Sequence, residues 1–234
     1  MPAAVYLIPT VLAEGRTDCL PAYVLDAVLR CQVLFAESER TARRYLKLLK
    51  KDITIDTFEW HPMKEVDAAL MAVFRRALAD GKTVGIISEA GCPGVADPGQ
   101  QLVAVAQEMK VAVRPLVGPN SILLALMASG MNGQQFQFCG YLPIDMAERA
   151  KAIRSLESES RQKSCTQIFI ETPYRNNQLF ETLVKSCHPQ TRICVAADLT
   201  AETEFVRTAT AVAWKGHPPE LHKRPTIFLL YAGS

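Results

Sequence analysis

The residues best suited by type and spacing to chemistry run from position 88 to 99: Ser88-Glu89-Ala90-Gly91-Cys92-Pro93-Gly94-Val95-Ala96-Asp97-Pro98-Gly99. Three glycines and two prolines in twelve residues prescribe a special backbone path and leave little side chain in the way. Such a segment suits a ligand held by main-chain groups. It is also longer than a plain connection, which takes about 2–6 residues. The apolar, β-branched run Thr83-Val84-Gly85-Ile86-Ile87 ahead of it reads as a buried strand. Behind it, Asp97 is expected as helix N-cap and Pro98 as the first helical residue, with Leu102, Val103, Ala106 and Met109 at helical spacing. A strand end opening on a helix start is where open α/β sheets place ligands. A second strand end, Gly118-Pro119-Asn120-Ser121, opens on an apolar helix beginning at Ile122. There Asn120 and Ser121 serve either a ligand or simple helix capping.

A different chemistry is suggested by residues 40–51, which hold six basic residues and no acid. Arg40, Arg43, Arg44, Lys47, Lys50 and Lys51 recur at steps of three and four, so they form one stripe of a helix whose buried side carries Ala42, Tyr45, Leu46 and Leu49. The stripe is either a solvated face or a ridge that contacts phosphates. The absence of interrupting acids favours the ridge, because solubilising helices mix signs.

Other chemistries find less support. Gly81-Lys82-Thr83 resembles the end of a P-loop, but Arg76 occupies the first glycine position and a strand follows. Neither G-x-G-x-x-G nor a G-x-S-x-G elbow occurs. His61 beside Pro62 reads as a loop residue, and His217 and His222 lack clustered partners for a metal. Seven cysteines without a C-x-x-C pair suggest reduced thiols in a cytoplasmic protein. No apolar run approaches the ~20 residues of a membrane span, and Met1-Pro2-Ala3-Ala4 leads into a strand without the basic region of a signal peptide. The net charge of +2 neither announces nor excludes a nucleic-acid partner.

These residues must be positioned by a chain of 234 residues, 49% hydrophobic, which is enough for two modest α/β domains. Strands are expected at 5–8, 33–36, 53–58, 83–87 and 111–117, alternating with helices that include one capped by Asp18 and one over 64–79. This alternation predicts a mostly parallel sheet. In the second half, strands at 136–140, 166–170, 193–197, 205–214 and 226–231 include neighbours without an intervening helix, so a mixed sheet is expected. One exposed helix is expected within 145–163. The Gly118-Pro119 turn reads as the hinge, giving domains of 1–117 and 118–234.

In this order the motifs resemble the tetrapyrrole methylase superfamily of S-adenosylmethionine-dependent methyltransferases. The resemblance rests on Tyr6-Leu7-Ile8-Pro9-Thr10, residues 87–93 with Asp97-Pro98-Gly99, Pro115-Leu116-Val117-Gly118-Pro119, Gly140-Tyr141-Leu142-Pro143 and Ile168-Phe169-Ile170-Glu171. Within the superfamily the chain is most similar to the branch that methylates a cytidine 2′-hydroxyl of 16S ribosomal RNA. It departs from the usual pattern at Val11-Leu12-Ala13-Glu14, where Pro-Ile-Gly-Asn is common. It departs also at Glu89 (usually Asp), Cys92 (usually Thr) and Glu37-Ser38-Glu39-Arg40 (usually Glu-Asp-Thr-Arg).

The resemblance implies a homodimer of two-domain chains with the cofactor in a cleft between the domains and no metal. It implies a cofactor site formed by Pro9, Ser88, Glu89, Ala90, Gly91, Cys92, Pro93, Val95 and Ala96, with Asn120, Ser121 and Ile122 at a helix start suited to a carboxylate. Glu171, Leu199, Pro225 and Thr226 would meet adenine by similarity. Arg40, Arg43, Arg44 and Lys47 would bind RNA. A ribose hydroxyl is a weak nucleophile, so a base is expected, and Glu39 ranks before Glu37 because the basic helix begins beside it. Two other functions stay open: methylation of a tetrapyrrole or another small molecule, and a non-catalytic module that binds cofactor or RNA.

Overall fold

The computed structural model describes residues 3–233; Met1 and Pro2, part of the N-terminal reading above, lie outside the described residues. The chain forms two compact units, one up to Asn120 and one from Ser121. Gly118 and Pro119 belong to the first because Gly118 lies against Pro9 and the Cys92 thiol donates to both of their carbonyls.

The first unit is a fully parallel five-stranded sheet. Its strands are β1 (Ala4–Ile8), β2 (Val33–Ala36), β3 (Glu59–Pro62), β4 (Thr83–Ile87) and β5 (Ala112–Pro115), in spatial order β3-β2-β4-β1-β5. Four helices cover it: α1 (Tyr23–Arg30), α2 (Glu39–Leu49), α3 (Ala68–Ala79) and α4 (Gly99–Glu108). Both faces are buried, so strand residues divide between two cores. Tyr6, Ile8, Leu34 and Ala36 pack with Val24, Val28, Tyr45 and Leu46 of α1 and α2. Val5, Val33, Phe35, Val84 and Ile86 pack with Phe74, Leu78, Leu102 and Ala106 of α3 and α4. Each fully buried aliphatic or aromatic side chain of this kind contributes about 1.5–3 kcal/mol. The chain leaves β1 in one direction and returns to β4 and β5 on either side of it. The carboxyl ends of β1, β4 and β5 therefore adjoin at a switch point of the topology.

The second unit holds a mixed sheet of β6 (Phe136–Tyr141), β7 (Thr166–Ile170), β8 (Arg192–Ala197), β9 (Phe205–Thr210) and β10 (Thr226–Tyr231), in order β6-β7-β10-β8-β9. Only β6 and β7 run parallel. The core on one face includes Ile153 of α6 (Met146–Lys163), Leu179, Phe180 and Leu183 of α7 (Asn176–Ser186), and Trp214 of α8 (Ala211–Trp214). The apolar helix α5 (Ser121–Ser129) contacts β8, β9 and β10.

Several expectations are corrected. Residues 53–58 are not a strand: Ile53, Ile55 and Phe58 reach the core from a helical turn at Ile55–Thr57, and the edge strand is Glu59–Pro62. His61 consequently sits on β3, stacked on Phe35 with centroids 4.9 Å apart. The helix expected over 64–79 begins at Ala68, where the Asp67 carboxylate accepts from Leu70 N–H at 2.8 Å. The stretch 205–214 is a strand only to Thr210. The Thr210 hydroxyl then caps a short helix that buries Trp214, whose Nε1–H donates to Ile193 at 3.0 Å. Asp18 does not cap α1. It lies in a turn at Thr17–Cys19 paired with Arg16, five residues before Tyr23. The helix α6 is not exposed throughout, because Arg149, Ile153, Glu157 and Ser160 are buried.

Candidate active site

The segment 88–99 leaves β4 and folds against the ends of its neighbours. The Thr10 N–H donates to the Gly91 carbonyl at 2.8 Å and the Thr10 hydroxyl to the Ser88 carbonyl at 3.4 Å, tying the loop to β1. The Cys92 thiol donates to the carbonyls of Gly118 and Pro119 at 3.5 and 3.4 Å, tying it to the segment after β5. Glu37, just past β2, accepts the Glu89 N–H at 3.0 Å. One loop is thus pinned to three neighbouring strand ends.

Asp97 braces the loop internally. Its carboxylate accepts from Gly94 N–H at 2.9 Å and from Gly99 N–H at 2.8 Å. This corrects the expected cap: α4 begins at Gly99 and Pro98 takes the N-cap place, because Asp97 is spent on holding the turn. Burial pushes the Asp97 carboxyl up, opposed by the two N–H groups and reinforced by the charge of Glu37. The chain passes through left-handed backbone at Gly91 (φ 74°) and also at Ala96 (φ 59°). Gly91 takes that conformation without cost, whereas for Ala96 it costs on the order of 1–2 kcal/mol. Strain of this kind is retained where the surroundings impose it, and it concentrates at functional sites.

Of the residues expected around the cofactor, Pro9, Ser88, Gly91 and Pro93 are buried supports, and Cys92 is half-buried. Glu89, Ala90, Val95 and Ala96 form the exposed crest. Burial pushes the Cys92 thiol up, so it remains a donor rather than a thiolate nucleophile. Asn120, the last residue of the first unit, immediately precedes Ser121 and Ile122, which open α5 in the second. There Glu171, Leu199 and Thr226 are buried at one end of the sheet's three interior strands. Ile227 pairs with Ile170 and Thr226 with Ala197, so β10 sets Thr226 between Glu171 and Leu199. The Pro225 carbonyl accepts the Asp198 N–H at 2.9 Å, and Arg224 pairs with Asp198 at 2.7 Å. Burial alone would raise the Glu171 carboxyl. The Arg175 guanidinium at 2.7 Å, the Thr172 N–H at 2.6 Å and the charge of Arg149 hold it below the ordinary carboxylate range.

The basic stripe on α2 divides. Arg43 is tied to the protein by Glu39 at 2.8 Å, by Asp56 at 3.4 Å and by the face of Trp60 at 5.1 Å. The Lys47 ammonium donates to the Ile53 carbonyl at 2.7 Å. Arg40 is exposed, and Arg44 makes one exposed pair with Glu14. Glu39 is thus held by Arg43 and Glu37 by the Glu89 backbone.

Two supports were missed by sequence reasoning. The Tyr45 hydroxyl donates to the Pro9 carbonyl at 2.6 Å from the buried side of α2, and burial keeps it protonated by pushing its pKa far up. A tyrosine in an otherwise aliphatic stripe was the available signal. The second, Thr10, was visible only as a polar residue ending a buried strand.

A model of the Tetrapyrrole (Corrin/Porphyrin) Methylases matches residues 14–213. The chain is 36% identical over 212 residues to a Ribosomal RNA small subunit methyltransferase I from Halalkalibacterium halodurans, covering 89% of this chain and 70% of that one. It is 29% identical to the protein of the same name from Mesorhizobium japonicum, over 92% of this chain and 69% of that one. Among solved structures it shares its fold with the uroporphyrin-III C-methyl transferase of Thermus thermophilus complexed with S-adenyl homocysteine. That match has a TM-score of 0.56 at 15% identity, covering 99% of this chain and 97% of that one. With a loop fastened to three strand ends in a doubly wound first unit and a mixed sheet in the second, the chain belongs to the tetrapyrrole methylase family of methyltransferases.

Proposed function

We propose that this protein transfers the methyl group of S-adenosylmethionine to a ribose 2′-hydroxyl of 16S ribosomal RNA in the cytoplasm, acting as a homodimer. The observation that carries the reading is the 36% identity, over most of the chain, to a relative named for methylation of small-subunit ribosomal RNA.

The residues fit the cofactor. The exposed crest is made of small side chains except Glu89 and Val95, and its backbone is held away from ordinary geometry at Ala96. Glu89, Ala90, Val95 and Ala96 would line the methionine and ribose parts, on supports supplied by Pro9, Ser88, Gly91, Cys92 and Pro93. Backbone N–H groups of Asn120, Ser121 and Ile122 suit a carboxylate at a helix start. In the second unit the strand ends carrying Glu171, Leu199, Pro225 and Thr226 suit adenine. The cofactor supplies a methyl group already activated on a sulfonium. The protein's task is alignment, which is worth roughly 7–11 kcal/mol in well-oriented reactions. Pinning the loop at Thr10, Glu37 and Cys92 supplies rigidity of that kind. Glu39 stands first as the group that takes the ribose proton and Glu37 second, and Arg40 and Arg44 would contact the RNA. The exposed Met127 of α5 supports a face between two copies.

Mass spectrometry of small-subunit RNA from cells with and without the gene tests the reading. Loss of one ribose methyl group is expected, and unchanged RNA refutes it. Purified protein that methylates a tetrapyrrole and ignores RNA would install the small-molecule alternative. Glu39→Gln is expected to lower methylation while leaving calorimetric cofactor affinity unchanged; unchanged turnover removes Glu39 from the mechanism.

A further inference from the structure

A recess of about 750 Å³ opens in the first unit among the second half of α2, the segment 52–56 and the Glu14-Gly15 turn. It shares no residue with segment 88–99. Its volume lies within the roughly 300–1,000 Å³ of small-ligand sites. Leu48, 52% exposed, and Ile55 give it an apolar part. Around this stand the cations Arg43, Arg44 and Lys47 and the carboxylates Glu14, Asp52 and Asp56, so the charges balance.

A trough that only neutralises phosphates would carry cations without acids. A single nucleotide asks for both. Its phosphate needs a cation, its base face needs an apolar surface, and the amino group of cytosine, adenine or guanine needs an acceptor such as a carboxylate. Arg43 and Lys47 are engaged with the protein, but Arg44 and Asp56 are loosely held. The Arg44–Glu14 pair is exposed on both sides, at 67% and 84%, and such pairs hold with only about 0–1 kcal/mol. Asp56 is 90% exposed and reaches Arg43 only at 3.4 Å. Sequence-specific RNA recognition targets unstacked bases of single strands.

We infer that this recess holds one unstacked nucleotide of the RNA substrate, with Arg44 on its phosphate, Leu48 against its base and Asp52 and Asp56 accepting from its amino group. The inference rests on the RNA reading above and adds a base-selecting subsite to it. Arg43 and Lys47 act as positioning residues that hold α2 to the 53–56 segment.

The probes are fluorescein-labelled single-stranded homopolymers of cytidine and of uridine, followed by fluorescence anisotropy with the full chain. Tighter binding of the cytidine strand is expected, because uracil has no amino group. The double variant Asp52→Ala/Asp56→Ala is expected to bring the two affinities within about two-fold of each other, as one amino contact is lost. Arg44→Glu is expected to weaken both by about ten-fold and to lower the salt dependence by about one phosphate. Circular dichroism and calorimetric cofactor affinity, expected unchanged in all variants, separate these effects from misfolding. A cytidine preference that survives in the double variant, or no preference in the wild type, overturns the subsite. If the wild type also methylates small-subunit RNA, the functional reading stands without it; if that RNA stays unmethylated, both fall.

Discussion

Gly118→Ala should damage the active site through one contact. A Cβ built on Gly118 would overlap Pro9 Cβ and lie 2.6 Å from Pro9 Cγ, well short of ordinary contact, which begins near 3.4 Å. Pro9 cannot swing aside as a flexible chain would, because its ring is rigid and its carbonyl is held by Tyr45. The backbone of Gly118 is not in the left-handed region, so the penalty is steric alone. Overpacking of this kind costs about 1–3 kcal/mol. What must move is Pro9 with Thr10, or Gly118 with Pro119, and these residues anchor the 88–99 loop through Gly91 and Cys92. Urea denaturation should show the loss in stability, and calorimetry with S-adenosylmethionine should show affinity reduced by about ten-fold or more, as expected if roughly 1.4 kcal/mol of the strain falls on the site. Gly133→Ala is the matched control, since an added methyl there meets nothing within 4 Å. A Gly118→Ala protein with wild-type stability and cofactor affinity would refute the argument that the Pro9–Gly118 contact sets the loop.

Further outcomes follow from the same geometry. Cys92→Thr should keep cofactor affinity, because a hydroxyl can donate to the Gly118 and Pro119 carbonyls as the thiol does, whereas Cys92→Ala should weaken it; calorimetry on the pair decides. Arg43→Ala should lower the denaturation midpoint, since Glu39, Asp56 and Trp60 all lose their partner, while Arg44→Ala should leave it within about 0.5 kcal/mol as an ordinary surface change. Glu171 has its folded pKa depressed, so its stabilisation is fully present above the unfolded value of about 4.3 and is lost as pH falls through the lower folded value. Urea midpoints measured between about pH 5 and pH 2 should therefore fall more steeply for the wild type than for Glu171→Gln. Parallel curves would remove Glu171 from the acid transition.

The parts of this molecule that could be read from its residues are those where the backbone is the functional element. Where a main chain must turn sharply or approach a ligand, only glycine, proline and small residues serve, so segment 88–99 and the Gly118-Pro119 turn stood out by composition. The sheet was legible for a related reason: burial on both faces demands continuous apolar runs, and β1, β2 and β4 have them. The edge strand β3 was misplaced because Glu59-Trp60-His61-Pro62 is polar and half-exposed, while the alternating Ile53 and Ile55 before it satisfy the core from an irregular segment. Asp97 was read as a cap because capping and bracing use the same carboxylate, and only the position of Gly94 tells them apart.

The acceptor side of the reaction was harder to read for a physical reason that also bears on specificity. A basic stripe with helical spacing says that six cations share a face, but not which of them are free. That depends on Glu14, Asp56 and Trp60, which the fold brings to α2 from outside its own sequence. Two of the four proposed RNA contacts, Arg43 and Lys47, turn out to be engaged with the protein. The departures from the family pattern at Val11-Leu12-Ala13-Glu14 reach the same place, because Glu14 pairs with Arg44. A change at Glu14 therefore alters the charge presented beside α2, whereas Leu12 of the same segment lies against Gly91 of the 88–99 loop. On the proposed reading, Glu14→Ala should shift RNA affinity while leaving cofactor affinity alone. Equal loss of both would show that the two elements are coupled.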